Sequence, residues 1–315
     1  MVIDSDSSSD SDILNSVLCY HKPVLVNEVL TYLNLQPGKT YLDVTFGSGG
    51  HTRAILEKEP ACRVIAMDWD SVSLETYGPA LQAEFGNRLQ IVWGNFALLY
   101  RLIKKEKIAG VDGILADFGA SQIQLAERPG FSFNRDSPLD MRMAPSYQKE
   151  TAAHLLRVSS ELKLQEIFKQ LGEERFAKQI ARLIVKERAK SPIRMTRQLV
   201  LLVERIIPKH KRKTHPATKV FQALRIYVNR ELNNIEAFLP TALTLLQPGG
   251  RLVCISFHSL EDRIVKQFFK AEKDAGRVRI LTPKVVVATL QEVQQNPSSR
   301  SAKLRVAERI GPESR

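Results

Sequence analysis

Three carboxylates, Asp43, Asp68 and Asp117, each close an apolar run, and the first opens the glycine-rich turn Asp43-Val-Thr-Phe-Gly-Ser-Gly-Gly-His51. Gly47, Gly49 and Gly50 remove the side chains that would keep a ligand off the backbone, and 52–57 reads as the helix that follows. The next apolar run, Arg63-Val-Ile-Ala-Met67, ends in Asp68, where a carboxylate can accept hydrogen bonds from both hydroxyls of a ribose. The pair predicts an adenosine-type cofactor. A dinucleotide fold calls for G-x-G-x-x-G, and Thr52 stands at its last position. S-adenosylmethionine has no pyrophosphate to cradle and relies on carboxylates for its ammonium and ribose, so two acidic strand ends suit it better. A plain strand-to-helix turn is the bland alternative for the glycines.

The elements that must position these groups alternate. Strands are predicted at 41–43, 64–67, 89–93 and 113–116 with amphipathic helices between them, the pattern of a parallel α/β sheet. Ligands of such sheets lie beyond the C-terminal strand ends, where Asp43, Asp68, Asn95, Phe96 and Asp117 all fall. The rhythm then breaks. Residues 119–145 read as a long irregular stretch, 151–208 as wholly helical, and 217–239 as one amphipathic helix with Val220, Leu224, Ile226, Val228, Leu232 and Ile235 on its inner face. A Pro-Gly-Gly turn leads into the apolar strand 252–256, and 283–287 with 304–308 supply a closing hairpin. The economical organisation is a tail (1–18), a first α/β part (19–125), an inserted helical domain that binds substrate (126–216) and a second α/β part (217–315).

At 315 residues with 43% hydrophobic content, the chain can bury a large core. Its 46 Lys and Arg against 34 Asp and Glu leave a net charge of +12, which points to a polyanionic partner. Ten basic residues in one stretch, Lys186, Arg188, Lys190, Arg194, Arg197, Arg205, Lys209, Lys211, Arg212 and Lys213, face only Glu187 and Glu204. Phosphate contact is the natural use, a solvated helix face the plain one. Arg300, Lys303, Arg305 and Arg309 extend this surface. No run approaches the ~20 apolar residues that span a bilayer, so no membrane is expected. Cys19, Cys62 and Cys254 form no metal knuckle, and their odd number fits buried thiols in a reducing, cytoplasmic setting. The Asp/Ser alternation of the first residues has the composition of a solvated, disordered leader.

The glycine turn is followed in order by Gly130-Phe-Ser-Phe, Pro138-Leu-Asp-Met-Arg-Met143, Gly172-Glu-Glu-Arg-Phe-Ala177, His215-Pro-Ala-Thr and Ser256-Phe-His-Ser-Leu-Glu-Asp-Arg263. In these six motifs the chain resembles the bacterial 16S ribosomal RNA cytosine-N4 methyltransferase family, over roughly residues 21–310. The resemblance implies a Rossmann-like class I methyltransferase: an α/β fold with a mostly parallel seven-stranded sheet, interrupted by an inserted all-helical domain. It also implies S-adenosyl-L-methionine as cofactor and a cytosine in the decoding region of the small ribosomal subunit as substrate. Carried over by motif, cofactor contacts fall on Gly49, Gly50, His51, Asp68, Phe96, Asp117 and Gln124, the last from the resemblance only. No metal is called for.

Cytosine's exocyclic amine is a weak nucleophile because its lone pair is delocalised into the ring. An acceptor for one of its hydrogens, with in-line placement of a methyl, overcomes this. Asp117 is the expected catalytic acceptor, against the plain reading of a turn-forming Asp. Phe131, Phe133 and Phe257 are candidate platforms for an unstacked base, and His258, Glu261, Asp262 and Arg263 are expected on the same rim. Rival readings are an S-adenosylmethionine-binding RNA assembly factor, a DNA amino-methyltransferase and an NAD oxidoreductase. A homodimer is left open.

Overall fold

A computed structural model describes residues 22–207 and 214–311. The acidic leader, Cys19, and Lys209, Lys211, Arg212 and Lys213 of the basic stretch lie outside the described residues. In chain order the elements are α1 (Val26–Leu33), β1 (Thr40–Asp43), α2 (Gly50–Lys58), β2 (Arg63–Asp68), α3 (Ser71–Phe85), β3 (Leu89–Trp93), α4 (Leu99–Lys105), β4 (Val111–Asp117) and α5 (Gln122–Glu127). The helices α6 (Ala152–Val158), α7 (Glu161–Gln170), α8 (Ala177–Arg188), α9 (Thr196–Ile206), α10 (Thr218–Asn229) and α11 (Glu231–Leu245) follow. Last come β5 (Leu246–Ser256), α12 (Ser259–Asp274), β6 (Val278–Ile280), β7 (Val286–Val287), α13 (Leu290–Gln295) and β8 (Lys303–Arg309).

The sheet runs β3-β2-β1-β4-β5-β8-β6, and β7 is a short eighth strand paired to β8 off that path. Strands β1 to β5 are parallel; β8 lies antiparallel to β5, β6 and β7. This is a doubly wound, mostly parallel α/β sheet, as expected, with the antiparallel β8 between β5 and β6. Asp68 pairs in register with Trp93, and Asp117 with Ile255, so the carboxylates finish their strands at the same end of the sheet. The alternating apolar residues of the strands split into two cores. One face carries Leu42, Ile65, Ile114 and Leu252 against α11 and α12, the other Tyr41, Val64, Leu115 and Val253 against α1, α2 and α3.

A separate apolar cluster unites α6 to α10, with Leu156, Phe168, Ile184, Leu199 and Leu224 all buried. Helix α10 contributes Val220, Phe221, Ala223, Leu224 and Val228 to this cluster, whereas Ile235 and Phe238 of α11 belong to the sheet core. The single helix expected over 217–239 is therefore two. Arg230 adopts φ 51° between them, a left-handed conformation that redirects the chain from one core to the other. The long irregular stretch is also interrupted. Ser121 accepts from Gln124 N while Gln124 Oε1 accepts from Ser121 N, a capping box that starts α5.

Candidate active site

At the C-terminal strand ends lies a cavity of about 450 Å³, a normal size for a small-molecule site. Gly47, Gly50, His51, Asp68, Phe96, Asp117 and Gln124 line it. Gly49 does not. It is buried at φ +82°, and a Cβ there would stand 2.7 Å from Leu81 Cδ2 and 3.0 Å from the Phe46 ring, so its role is to let the turn fold against α3. Gly49→Ala should cost about 2–4 kcal/mol, combining left-handed strain with overpacking. Gly38 also has positive φ but nothing within 4 Å, so Gly38→Ala should show the strain alone, about 1–2 kcal/mol, in urea unfolding.

Asp43 holds the turn from beneath. It is 1% exposed and accepts from Thr52 Oγ1 at 2.8 Å and Thr45 N at 3.1 Å. Thr45 Oγ1 in turn accepts the Asp117 backbone N–H at 2.8 Å, tying the turn to the end of β4. Asp68 accepts from Gly47 N at 2.8 Å and Asp70 N at 2.9 Å, and its carboxylate faces the cavity. Burial pushes its pKa up to about 7 despite both N–H donors, with Asp70 and Asp43 adding repulsion. Asp70 caps α3 and collects Gln124 Nε2 at 2.9 Å and Arg128 at 2.6 Å. Gln124 thus braces the second acidic residue of this strand end from across the cavity.

Asp117 is the least satisfied group. Among the described residues its buried Oδ1 accepts no hydrogen bond, and Oδ2 lies 3.8 Å from His51 Nδ1. Burial holds its pKa well above the carboxylate range, and Asp43 and Glu261 raise it further. The 20% of the side chain that is open faces the cavity. His51 donates from Nε2 to the Val24 carbonyl at 2.8 Å, which leaves Nδ1 as an acceptor; burial lowers its pKa and keeps it neutral.

Several wall residues escaped the sequence reading. Arg225, Glu231 and Asn234 come from α10 and α11, and Trp69 from the residue after β2. Arg225 grips Glu231 with two bonds of 2.9 Å. Glu231, His258 and Glu261 bring ligand-type atoms within 4.8 Å of one another. Arg225 already takes both Glu231 oxygens, and His258 Nδ1 accepts from Glu261 N as the cap of α12, leaving its hydrogen on Nε2. The group therefore works as an ion-pair network, with Nε2 3.2 Å from Glu261 Oε1 though poorly aligned for a hydrogen bond. Burial would raise Glu261, but His258, Arg225 and the Phe257 backbone N–H together hold it below its usual range. Trp69 meets Tyr147 at 6.4 Å, and Tyr147 meets Trp93 at 5.4 Å.

Other expectations are corrected. Among the proposed rim residues only Glu261 lines the cavity: Asp262 pairs with Arg305 at 2.6 Å, Arg263 with Glu173 at 3.1 Å, and His258 caps the helix. Among the aromatic candidates only Phe257 lines it. Phe131 is buried elsewhere, and Phe133 stacks on His215 at 4.6 Å inside the insertion. Arg305 and Arg309, engaged by Asp262 and by the carbonyls of Thr244 and Leu246, are not a free basic surface; Arg300 does line the cavity. Cys62 and Cys254 are buried free thiols, and burial pushes Cys62 up to about 11. No helix among the described residues is long and apolar enough to cross a membrane.

The model of the MraW methylase family matches residues 18–310. A protein of Thermomicrobium roseum named ribosomal RNA small subunit methyltransferase H is 46% identical over 312 residues, covering 94% of this chain and 95% of the relative. One of the same name from Geobacter sulfurreducens is 47% identical over 310 residues, covering 92% and 99%. Among solved structures, an rRNA methylase from Streptococcus thermophilus superposes with a TM-score of 0.42 at 9% identity, over 91% of this chain and 94% of that one. With residues 18–310 matched, nearly end to end, the chain belongs to the MraW methylase family.

Proposed function

We propose that this protein transfers a methyl group from S-adenosylmethionine to the exocyclic N4 of a cytosine in the decoding region of 16S ribosomal RNA, within the small subunit. The observation that carries the reading is one cavity holding Asp68 at one strand tip and, at another, Asp117 with an unpartnered oxygen. The names of the close relatives support the substrate class.

The cavity residues fit the donor. Asp68 offers both carboxylate oxygens to ribose hydroxyls, and Phe96 and Trp69 offer apolar faces for the base, while Gly50 admits the Pro23 ring, 2.9 Å from where its Cβ would stand. When bound, the donor supplies an electrophilic methyl on a sulfonium. Asp117 accepts one amine hydrogen through Oδ1, which localises the nitrogen lone pair. As the N4–methyl bond forms, the surplus amine proton passes to Asp117. Its raised proton affinity, set by burial beside Asp43 and Glu261, suits it to receive that proton. His51 Nδ1, at 3.8 Å, is a second, more deeply buried acceptor. Arg225 and Glu261 give the opposite wall a fixed charge pattern against which a base is oriented.

The test is labelling. With methyl-tritiated donor, small subunits from cells that lack this methylation should gain label in their 16S RNA. Label in DNA, or none in either nucleic acid, would remove the reading.

A further inference from the structure

The part of the donor cavity wall that carries Arg300 is built from two stretches far apart in sequence: Pro23 with Val24, and the 3₁₀ turn Pro297–Ser301. Hydrogen bonds tie them together. Asn296 Nδ2 donates to the Lys22 carbonyl at 2.8 Å, Lys22 Nζ to Gln295 Oε1 at 3.0 Å, and Leu25 N to Glu292 Oε1 at 2.7 Å. Ser299 is buried beneath the turn, where its Oγ donates to the Asn296 carbonyl at 2.8 Å. The backbone under Arg300 is thus fixed, while its side chain stands exposed at the cavity edge. Among the described residues no carboxylate pairs with that guanidinium. The other basic side chains of the lining are engaged, Arg225 by Glu231 through two bonds of 2.9 Å and His51 by the Val24 carbonyl.

The sheet order decides what Arg300 faces. Asp68 ends β2, Asp117 ends β4, Phe257 follows β5 and Arg300 leads into β8, in the spatial order β2-β1-β4-β5-β8. A donor whose ribose sits on Asp68 therefore occupies one flank of Asp117, and Arg300 stands on the other. Four strand spacings of about 4.8 Å put about 19 Å of sheet between β2 and β8. The acceptor base enters on the Arg300 side. Its ring goes inward to Asp117 and Phe257, while its phosphodiester stays at the solvent edge, where a fixed and unpaired cation stabilises an anion. Arginine's planar fork matches two phosphate oxygens, and Ser301 adds a hydroxyl on the same wall.

We propose that Arg300 grips the phosphodiester of the target cytidine itself and so holds the extruded base with its amine at Asp117. This rests on the RNA methyltransferase reading and deepens it, giving the substrate nucleotide a second fixed point besides its amine. Of the late basic residues singled out in the sequence, Arg305 and Arg309 are spent within the fold, and Arg300 is the one that lines the cavity.

The experiment uses the full chain and hypomethylated small subunits, with methyl transfer read at several salt concentrations. Arg300→Gln removes an exposed, unpaired charge and leaves the fold intact. Its kcat/KM for subunits should fall at least about tenfold, and the salt slope of log kcat/KM should shrink by about 0.7, one single-strand phosphate contact. Arg300→Lys should recover the slope. Affinity for S-adenosylhomocysteine, read by calorimetry, should stay unchanged. In reconstituted subunits, a neutral methylphosphonate is placed on one side of the target cytosine or the other. At one of the two positions it should bring the wild type down to Arg300→Gln and cost the variant nothing. Losses that multiply at both positions, or an unchanged kcat/KM in the variant, would overturn the proposal. So would weaker S-adenosylhomocysteine binding with the salt slope intact, because Arg300 would then hold the donor's carboxylate. Lys266→Gln removes an exposed charge on α12 and should behave like the wild type; an equal loss there also overturns the assignment. Transfer with no effect of Arg300→Gln sinks this residue's role alone, whereas absent transfer by the wild type sinks the reading beneath it.

Discussion

Asp117→Asn should lower kcat at saturating donor by about 10²–10⁴-fold while changing donor affinity little. Asparagine keeps the shape and the Thr45-bound backbone N–H but accepts no proton and turns a donor toward one side of the cavity. In the wild type, only the carboxylate form is competent, so kcat should rise with pH above the ordinary carboxylate range, and the variant should lose that limb. Stability gives an independent check. Because the folded protein holds this proton more tightly than the unfolded chain does, the contribution of Asp117 to stability falls as pH rises from the ordinary value toward the raised one. Asp117→Asn removes that decline, so the variant should gain on the wild type in denaturant melts as pH increases. Collapse of donor affinity with kcat intact would reassign Asp117 to holding the donor.

Asp68→Ala should weaken donor binding by about 100-fold or more. Two hydrogen bonds from ribose hydroxyls to an ionised acceptor are lost, each worth about 1.5–3 kcal/mol before water replaces part of it. The pH dependence has a definite sign. With its pKa near 7 in the free protein, Asp68 must release a proton to accept both hydroxyls fully. Wild-type affinity should therefore improve as pH rises toward and past that value and then level off. In Asp68→Ala the trend should flatten. Calorimetry across the pH range reads both effects, and a pH-independent wild-type affinity would remove Asp68 from the ribose.

Much of this site was legible because strand ends are a positional code. An apolar run followed by Asp fixes where the carboxylate goes once the sheet is parallel, so Asp68 and Asp117 could be placed on the ligand side from sequence. The opposite wall was not legible. Arg225 and Glu231 look like two charges on one helix until Arg230 takes a left-handed φ, which nothing in an arginine announces. Helix α5 did carry its signal, since Ser121 and Gln124 stand at capping-box spacing, but it is short and lies in a stretch with proline-rich irregularity. Gly49 illustrates the opposite error. A glycine motif says that backbone is unusual or closely approached, not whether a ligand or, as here, Leu81 and Phe46 make the approach. Charge counts likewise missed that Arg305 and Arg309 are spent within the fold.

The account is tested most directly by nucleoside mass spectrometry on 16S RNA digested after incubation of hypomethylated small subunits with protein and S-adenosylmethionine. It predicts one new N4-methylcytidine per subunit, absent with Asp117→Asn. Methyl found on carbon 5 of cytosine, or no new methylated nucleoside with intact protein, would contradict it.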